Sequence, residues 1–217
     1  MIVSPSILSA DHVNLERDVR ELEKAGADNI HIDIMDGNFV KYMTWGASTV
    51  TGIKNITNLP LEIHLMIDRP EFKIHNFLNT EAHIIIIHPE STFFLRDNLL
   101  KIKKAGLNAG VALKLETPVK TIENCIELLD VVLIISCDEG FGGQAFNSLA
   151  LDKILFLSKL RRQKNHSFYI EVDGGLDLTT VKQSYQAGAD VFVLGSYIFK
   201  QSDKKNAIKS IKNMTTN

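Results

Sequence analysis

The stretch Asn29-Ile30-His31-Ile32-Asp33-Ile34-Met35-Asp36-Gly37 decides the fold. Ile30, Ile32 and Ile34 alternate with His31 and Asp33. In an extended strand, the two polar side chains therefore point to one side and the isoleucines to the other. Seven more apolar runs recur along the chain: Ile2 to Leu8, Leu61 to Met66, His83 to Ile87, Ala109 to Leu113, Val131 to Ile135, Phe168 to Val172 and Val191 to Leu194. Several are apolar at consecutive positions, as expected of strands covered on both faces.

Helical patterns lie between the runs. From Asn14 to Ala25, Leu15, Val19 and Leu22 form one stripe, and Leu95 to Ala105 and Leu149 to Leu160 behave alike. Gly26, Gly106 and Gly188 each follow an alanine, where a left-handed residue would stop a helix. Pro70 and Pro118 stand where further helices should begin. Repeated strand-helix units imply a parallel sheet. Eight units in 217 residues average about 27 residues each, which suits a compact (β/α)8 TIM barrel, an α/β fold. An open doubly wound sheet is the alternative. With no linker or low-complexity tract, residues 1–217 are expected to form a single barrel domain.

Composition narrows the partners. Lys and Arg number 24 and Asp and Glu 26, a net charge of −2. Such a chain lacks the broad positive field that nucleic acid or an anionic membrane needs, so neither is an expected partner. Cys125 and Cys137 form no C-x-x-C pair, which suits free thiols in a reducing compartment. Cys137 is expected to be an inert thiol. The start of the chain shows no secretory pattern and no run is long enough to span a bilayer. The expectation is a cytoplasmic protein.

The polar residues cluster just after the runs. In a parallel barrel this is the C-terminal face, where active sites are built. His31 and Asp33, joined there by His64 and Asp173, would offer two imidazoles and two carboxylates, a set suited to one divalent ion such as Zn, Fe, Mn or Co. A second cluster comprises Gly140-Phe141-Gly142-Gly143-Gln144, Gly174-Gly175 and Gly195-Ser196. Glycine lets backbone N–H groups approach an anion, and barrels often hold phosphate after strands seven and eight. No Lys or Arg lies in these loops, so a phosphate there would depend on backbone donors and helix dipoles.

Taken together, Ser4 to Asp11, His31 to Gly37, His64-Leu65-Met66, Gly140 to Gln144, Glu171 to Gly175 and Gly195-Ser196 resemble ribulose-phosphate 3-epimerases from about Ser4 to Phe199. The resemblance implies a metal-dependent isomerase on a ribulose-phosphate-binding barrel, interconverting D-ribulose 5-phosphate and D-xylulose 5-phosphate. It implies that His31, Asp33, His64 and Asp173 hold the metal and that Asp33 and Asp173 are the acid/base pair. Ser6, His64 and Asp173 would touch the sugar. Gly142, Gly143, Gly174, Gly175, Gly195 and Ser196 would cradle its phosphate, Gly140 and Phe141 would also bind substrate, and Met35 and Met66 would line the pocket. The family also forms homo-oligomers.

Several positions depart from the family pattern: Ile135 and Glu139 before the glycine loop, Asn38, Lys41-Tyr42 and Trp45 in the second loop, and Leu115 after the fifth run. They are expected to line the mouth, with Glu139 weakening phosphate binding if it points inward. Trp45 is expected to report ligand binding by fluorescence. His88-Pro89-Glu90, Glu116-Thr117-Pro118 and Ala189 to Phe192 look like allulose-6-phosphate 3-epimerases, whereas Gly174-Gly175 and Gly195-Ser196 look like the five-carbon enzymes. The five-carbon reading is preferred. A non-catalytic phosphosugar sensor on the same scaffold remains as the non-enzyme alternative.

Overall fold

The computed structural model describes residues 1–215. The eight runs become eight parallel strands: β1 Ile2–Ser4, β2 Ile30–Met35, β3 Leu61–Met66, β4 Ile84–Ile87, β5 Asn108–Leu113, β6 Val131–Ile135, β7 Tyr169–Asp173 and β8 Val191–Val193. Each strand from β2 to β8 pairs in parallel with the next, and β1 pairs with β8. The ring closes between β1 and β2 through a bridge from Ser6 to His31, where the His31 N–H donates to the Pro5 carbonyl at 3.0 Å. The structure is thus a (β/α)8 barrel.

Alternation along the strands divides each one between two environments. Ile30, Ile32, Ile34, Ile63, Ile85 and Val172 belong to the large core between sheet and helices. The opposite faces of β4, β5 and β6 fill the barrel interior with Ile84, Ile86, Ala112, Val131, Leu133 and Ile135. The interior faces of β2, β3 and β7 instead carry His31, Asp33, Glu62, His64, Glu171 and Asp173. One half of the interior is therefore hydrocarbon, and the other half is ionisable.

Helices α1 Leu15–Ala25, α2 Ala47–Lys54, α3 Leu95–Lys104, α4 Leu149–Lys164, α5 Leu178–Ala187, α6 Ser196–Phe199 and α7 Lys204–Lys212 cover the outside. Val19 and Leu22 of α1 are fully buried, as the stripe requires. Gly26 and Gly188 adopt left-handed φ of 89° and 113° directly after their helices.

The proline-initiated helices differ from expectation. After Pro70 there are only two short 3-10 turns, Pro70–Phe72 and Ile74–Asn76, and after Pro118 a longer 3-10 segment, Val119–Leu128. Lys73, at φ −121°, interrupts the first pair. In the second segment the Thr121 backbone N–H and its hydroxyl both donate to the Pro118 carbonyl, closing turns of three residues rather than four. Among the described residues, no helix is long and apolar enough to cross a membrane.

Candidate active site

The barrel register brings the acid and imidazole groups together. Asp33 pairs with His64 across β2 and β3, and His31 pairs with Glu62 one layer below. Asp173 ends β7 beside Ile135. One ligand atom from each of His31, Asp33, His64 and Asp173 lies within 4.8 Å of the others. His64 Nδ1 stands 3.1 Å from Asp33 Oδ1, and His31 Nε2 stands 3.3 Å from the same oxygen. Ser6 donates its hydroxyl to Asp33 Oδ2 at 2.6 Å, so the residue that closes the barrel also orients a carboxylate.

Burial and charge set these two acids apart. Burial alone would raise the Asp33 carboxyl, but His31 and His64 outweigh it and hold that group well below the usual carboxylate range. For Asp173, burial and the like charge of Asp33 act together and push it up to about 6. One carboxylate is therefore held ionised beside one that readily carries a proton.

A lower layer of acids supports His31. Its Nδ1 lies 2.5 Å from Glu62 Oε1 and 3.6 Å from Glu171 Oε1, all three residues being buried. Burial opposes a charged His31, yet Asp33, Glu171 and Glu62 raise its basicity well above an ordinary histidine. Burial and the neighbouring Glu62 raise Glu171 well above the usual carboxylate range. The Nε2 of His31 is buried without a hydrogen-bond partner and faces the upper cluster. An imidazole with one nitrogen on a carboxylate and the other bare is the usual arrangement of a metal-ligating histidine. The donor set fits a divalent ion, and a metal would displace the proton that His31 otherwise holds.

Above the cluster lies a cavity lined by Ser6, Asp33, Met35, His64, Met66, Asp173, Gly140, Phe141, Gly142, Gly143, Gly174, Gly175, Gly195 and Ser196, together with Ser9, Ile135, Cys137 and Glu139. All of the residues expected to bind substrate line it, and His31 forms the floor beneath. Its far wall is glycine backbone. Gly175 has φ +61°, and a Cβ there would lie 2.2 Å from the Phe146 nitrogen, so only glycine fits. The single-turn α6 begins at this wall, matching the short extra helix that often accompanies barrel phosphate sites. No Lys or Arg lines the cavity, but Lys200 lines a shallow groove just outside that shares Gly143, Gly175 and Ser196.

Of the departing residues, Ile135 and Glu139 line the cavity as expected, whereas Leu115 and Trp45 do not. Glu139 faces the cavity, but Lys114 pairs with it at 3.3 Å and offsets its charge. Leu115 packs against the outer core, not the mouth, while Lys153 from α4 donates to the Lys114, Leu115 and Thr117 carbonyls around it. Trp45 likewise packs against the core, with the His12 ring 4.8 Å away, and does not line the cavity. The β2 loop is drawn inward by Asp36, which accepts from the Asn38, Phe39 and Asp68 N–H groups and from Lys73. Tyr42 of that loop instead meets Phe141, with ring centroids 6.1 Å apart. Burial and nearby acids push the Cys137 thiol up to about 12, which disfavours the thiolate.

Sequence reading missed Glu62, Glu171 and His88 as parts of the site. Each sits in or beside a motif but acquires its role from a cross-strand neighbour. The only signal was an acid or imidazole at an inward strand position.

Fold and site together describe a (β/α)8 barrel whose buried acids and imidazoles could hold a divalent ion, beside a cavity wall of glycine backbone. Residues 2–199 match the ribulose-phosphate 3 epimerase family. The chain is 42% identical to ribulose-phosphate 3-epimerase from Bacillus subtilis (strain 168), over 97% of each chain. It is 36% identical to the Helicobacter pylori (strain ATCC 700392 / 26695) enzyme of the same name, over 99% of this chain and 98% of that one. A 3-hexulose-6-phosphate synthase from Salmonella typhimurium superposes with TM-score 0.73 at 17% identity, covering 100% and 99% of the two chains, a likeness of fold. The chain belongs to the ribulose-phosphate 3 epimerase family and is an isomerase.

Proposed function

We propose that this chain interconverts D-ribulose 5-phosphate and D-xylulose 5-phosphate by moving the C3 proton between Asp33 and Asp173. The observation that carries this reading is the pairing of two carboxylates, one held ionised and one able to keep its proton, in a single cavity. Inversion at C3 needs a base on one face of the sugar and an acid on the other. An ionised Asp33 takes the proton while a protonated Asp173 returns one, and the roles exchange in reverse. His31, Asp33, His64 and Asp173 would hold one divalent ion (Zn, Fe, Mn or Co). When bound, the ion would supply electrophilic polarisation of the C2 carbonyl and stabilise negative charge on the sugar oxygens. The glycine wall of Gly142, Gly143, Gly174, Gly175, Gly195 and Ser196 would seat the phosphate on backbone donors. Ser6 keeps Asp33 oriented, and Met35 and Met66 exclude water beside the reacting carbons.

Solvent deuterium exchange into C3 tests this. Ribulose 5-phosphate is expected to gain deuterium, allulose 6-phosphate much less, and chelator treatment should remove the exchange until a divalent ion is restored. A chelated protein of unchanged rate would overturn the metal assignment. No exchange into either sugar would leave a binding protein rather than an epimerase.

A further inference from the structure

The polar chain does not stop at His64. His88, directly after β4, is fully buried, and its Nε2 lies 2.8 Å from His64 Nε2. Two imidazole nitrogens this close share one proton, so one ring donates and the other accepts. On its far side, His88 Nδ1 faces Glu90 Oε2 at 3.5 Å. Glu90 also accepts from the Thr117 hydroxyl, and its side chain reaches partial exposure at the rim. Phe39 covers the His88 ring at 4.8 Å, and the Lys114 ammonium sits 4.5 Å from the Phe39 ring centre.

We propose that His88 and Glu90 are positioning residues that fix the orientation and tautomer of His64. The inference rests on reading His64 as a metal ligand. To offer a lone pair from Nδ1, beside Asp33, His64 must carry its proton on Nε2. That proton is then donated to His88 Nε2. His88 in turn carries its own proton on Nδ1, the atom facing Glu90. The Glu90 carboxylate at the rim, 3.5 Å from His88 Nδ1 without a formed hydrogen bond, favours this tautomer of each ring electrostatically. A flip of the His64 ring would break the 2.8 Å contact, so the same contact also locks the ring's direction.

The bland alternative is that His88 simply fills space beneath Phe39. Substitutions separate the two. His88→Gln keeps an acceptor close to the place of Nε2, whereas His88→Leu keeps bulk and removes it. The first readout is Zn2+ affinity of the metal-free chain, measured by calorimetric titration alongside thermal stability. His88→Leu is expected to weaken Zn2+ binding by about 10- to 100-fold, Glu90→Gln by less, and His88→Gln is expected to recover most of the loss. A folded His88→Leu chain that binds Zn2+ like the wild type, or leucine and glutamine variants of equal affinity, would overturn the proposal. The second readout needs no metal: nitrogen NMR of the wild-type chain should show coupling across the hydrogen bond between the His64 and His88 rings. Its absence would overturn the positioning role even if His88→Leu failed to fold. A wild-type chain that shows the coupling but binds no divalent ion would instead overturn the metal reading alone.

Discussion

Asp173 joins chemistry to stability. Its carboxyl is pushed from an ordinary 3.8 up to about 6. The folded metal-free chain therefore holds a proton that the unfolded chain releases near pH 4. This group's own contribution to stability is full below that value and is lost as pH rises through 6, by about 2 kcal/mol once cavity water is allowed for. Asp173→Asn removes the titration. It should lower turnover by several orders of magnitude in the deuterium exchange assay, yet flatten this fall in chemical denaturation of the metal-free chain. Near-wild-type turnover would overturn the two-carboxylate scheme. Gly175→Ala should act through the backbone instead, because its Cβ would meet Phe146 and its φ is +61°. We expect a stability loss of about 1–3 kcal/mol and a KM that rises more than kcat falls, with equal stability sinking the idea. At this scale the sequence was informative where alternation alone decides, as with His31 and Asp33. It was silent where a partner comes from register, as with Glu62 beside His31 or His88 beside His64.

At the scale of elements, strand positions were readable because each strand is a short β-branched run; β3 and β6 coincide with their runs, Leu61–Met66 and Val131–Ile135. The excursions after β3 and β5 were not, because proline marks where a helix starts but not whether its turns close at three or four residues. Loop contacts were equally hidden. Glu139 looks like an acid that would repel phosphate, yet the β5 loop supplies Lys114 to meet it. Lys114→Met leaves Glu139 uncompensated and is expected to raise KM for the phosphosugar by about 2- to 5-fold, while kcat changes little. A KM unchanged at low ionic strength would show that the pair does not shape the site. Arg161 near the end of α4 makes a different kind of link, donating to Asp190 and to the Phe168 carbonyl and so tying that helix to the starts of β7 and β8.

Across the whole molecule, the interior splits between an apolar side on β4 to β6 and an ionisable side on β2, β3 and β7. Burying so many acids costs stability even with His31 and His64 beside them, and the apolar side and the outer core must offset it. We propose that residues 1–217 form one cooperative unit, as the shared outer core from Val3 to Ile211 suggests. Scanning calorimetry should then show one transition for the metal-free chain, and two resolved transitions would mark independently folding parts.

The seam between β1 and β2 bears on how the chain is made. Ile2 pairs with Val191, so β1 must wait for β8 to be made. Until β8 emerges, β1 lacks that partner and the sheet has open edges of the kind that invite misassembly. The Ser6 to His31 bridge closes the same ring that places the acids. A nascent chain that ends before Val191 therefore lacks the β1–β8 pairing and leaves the barrel unclosed.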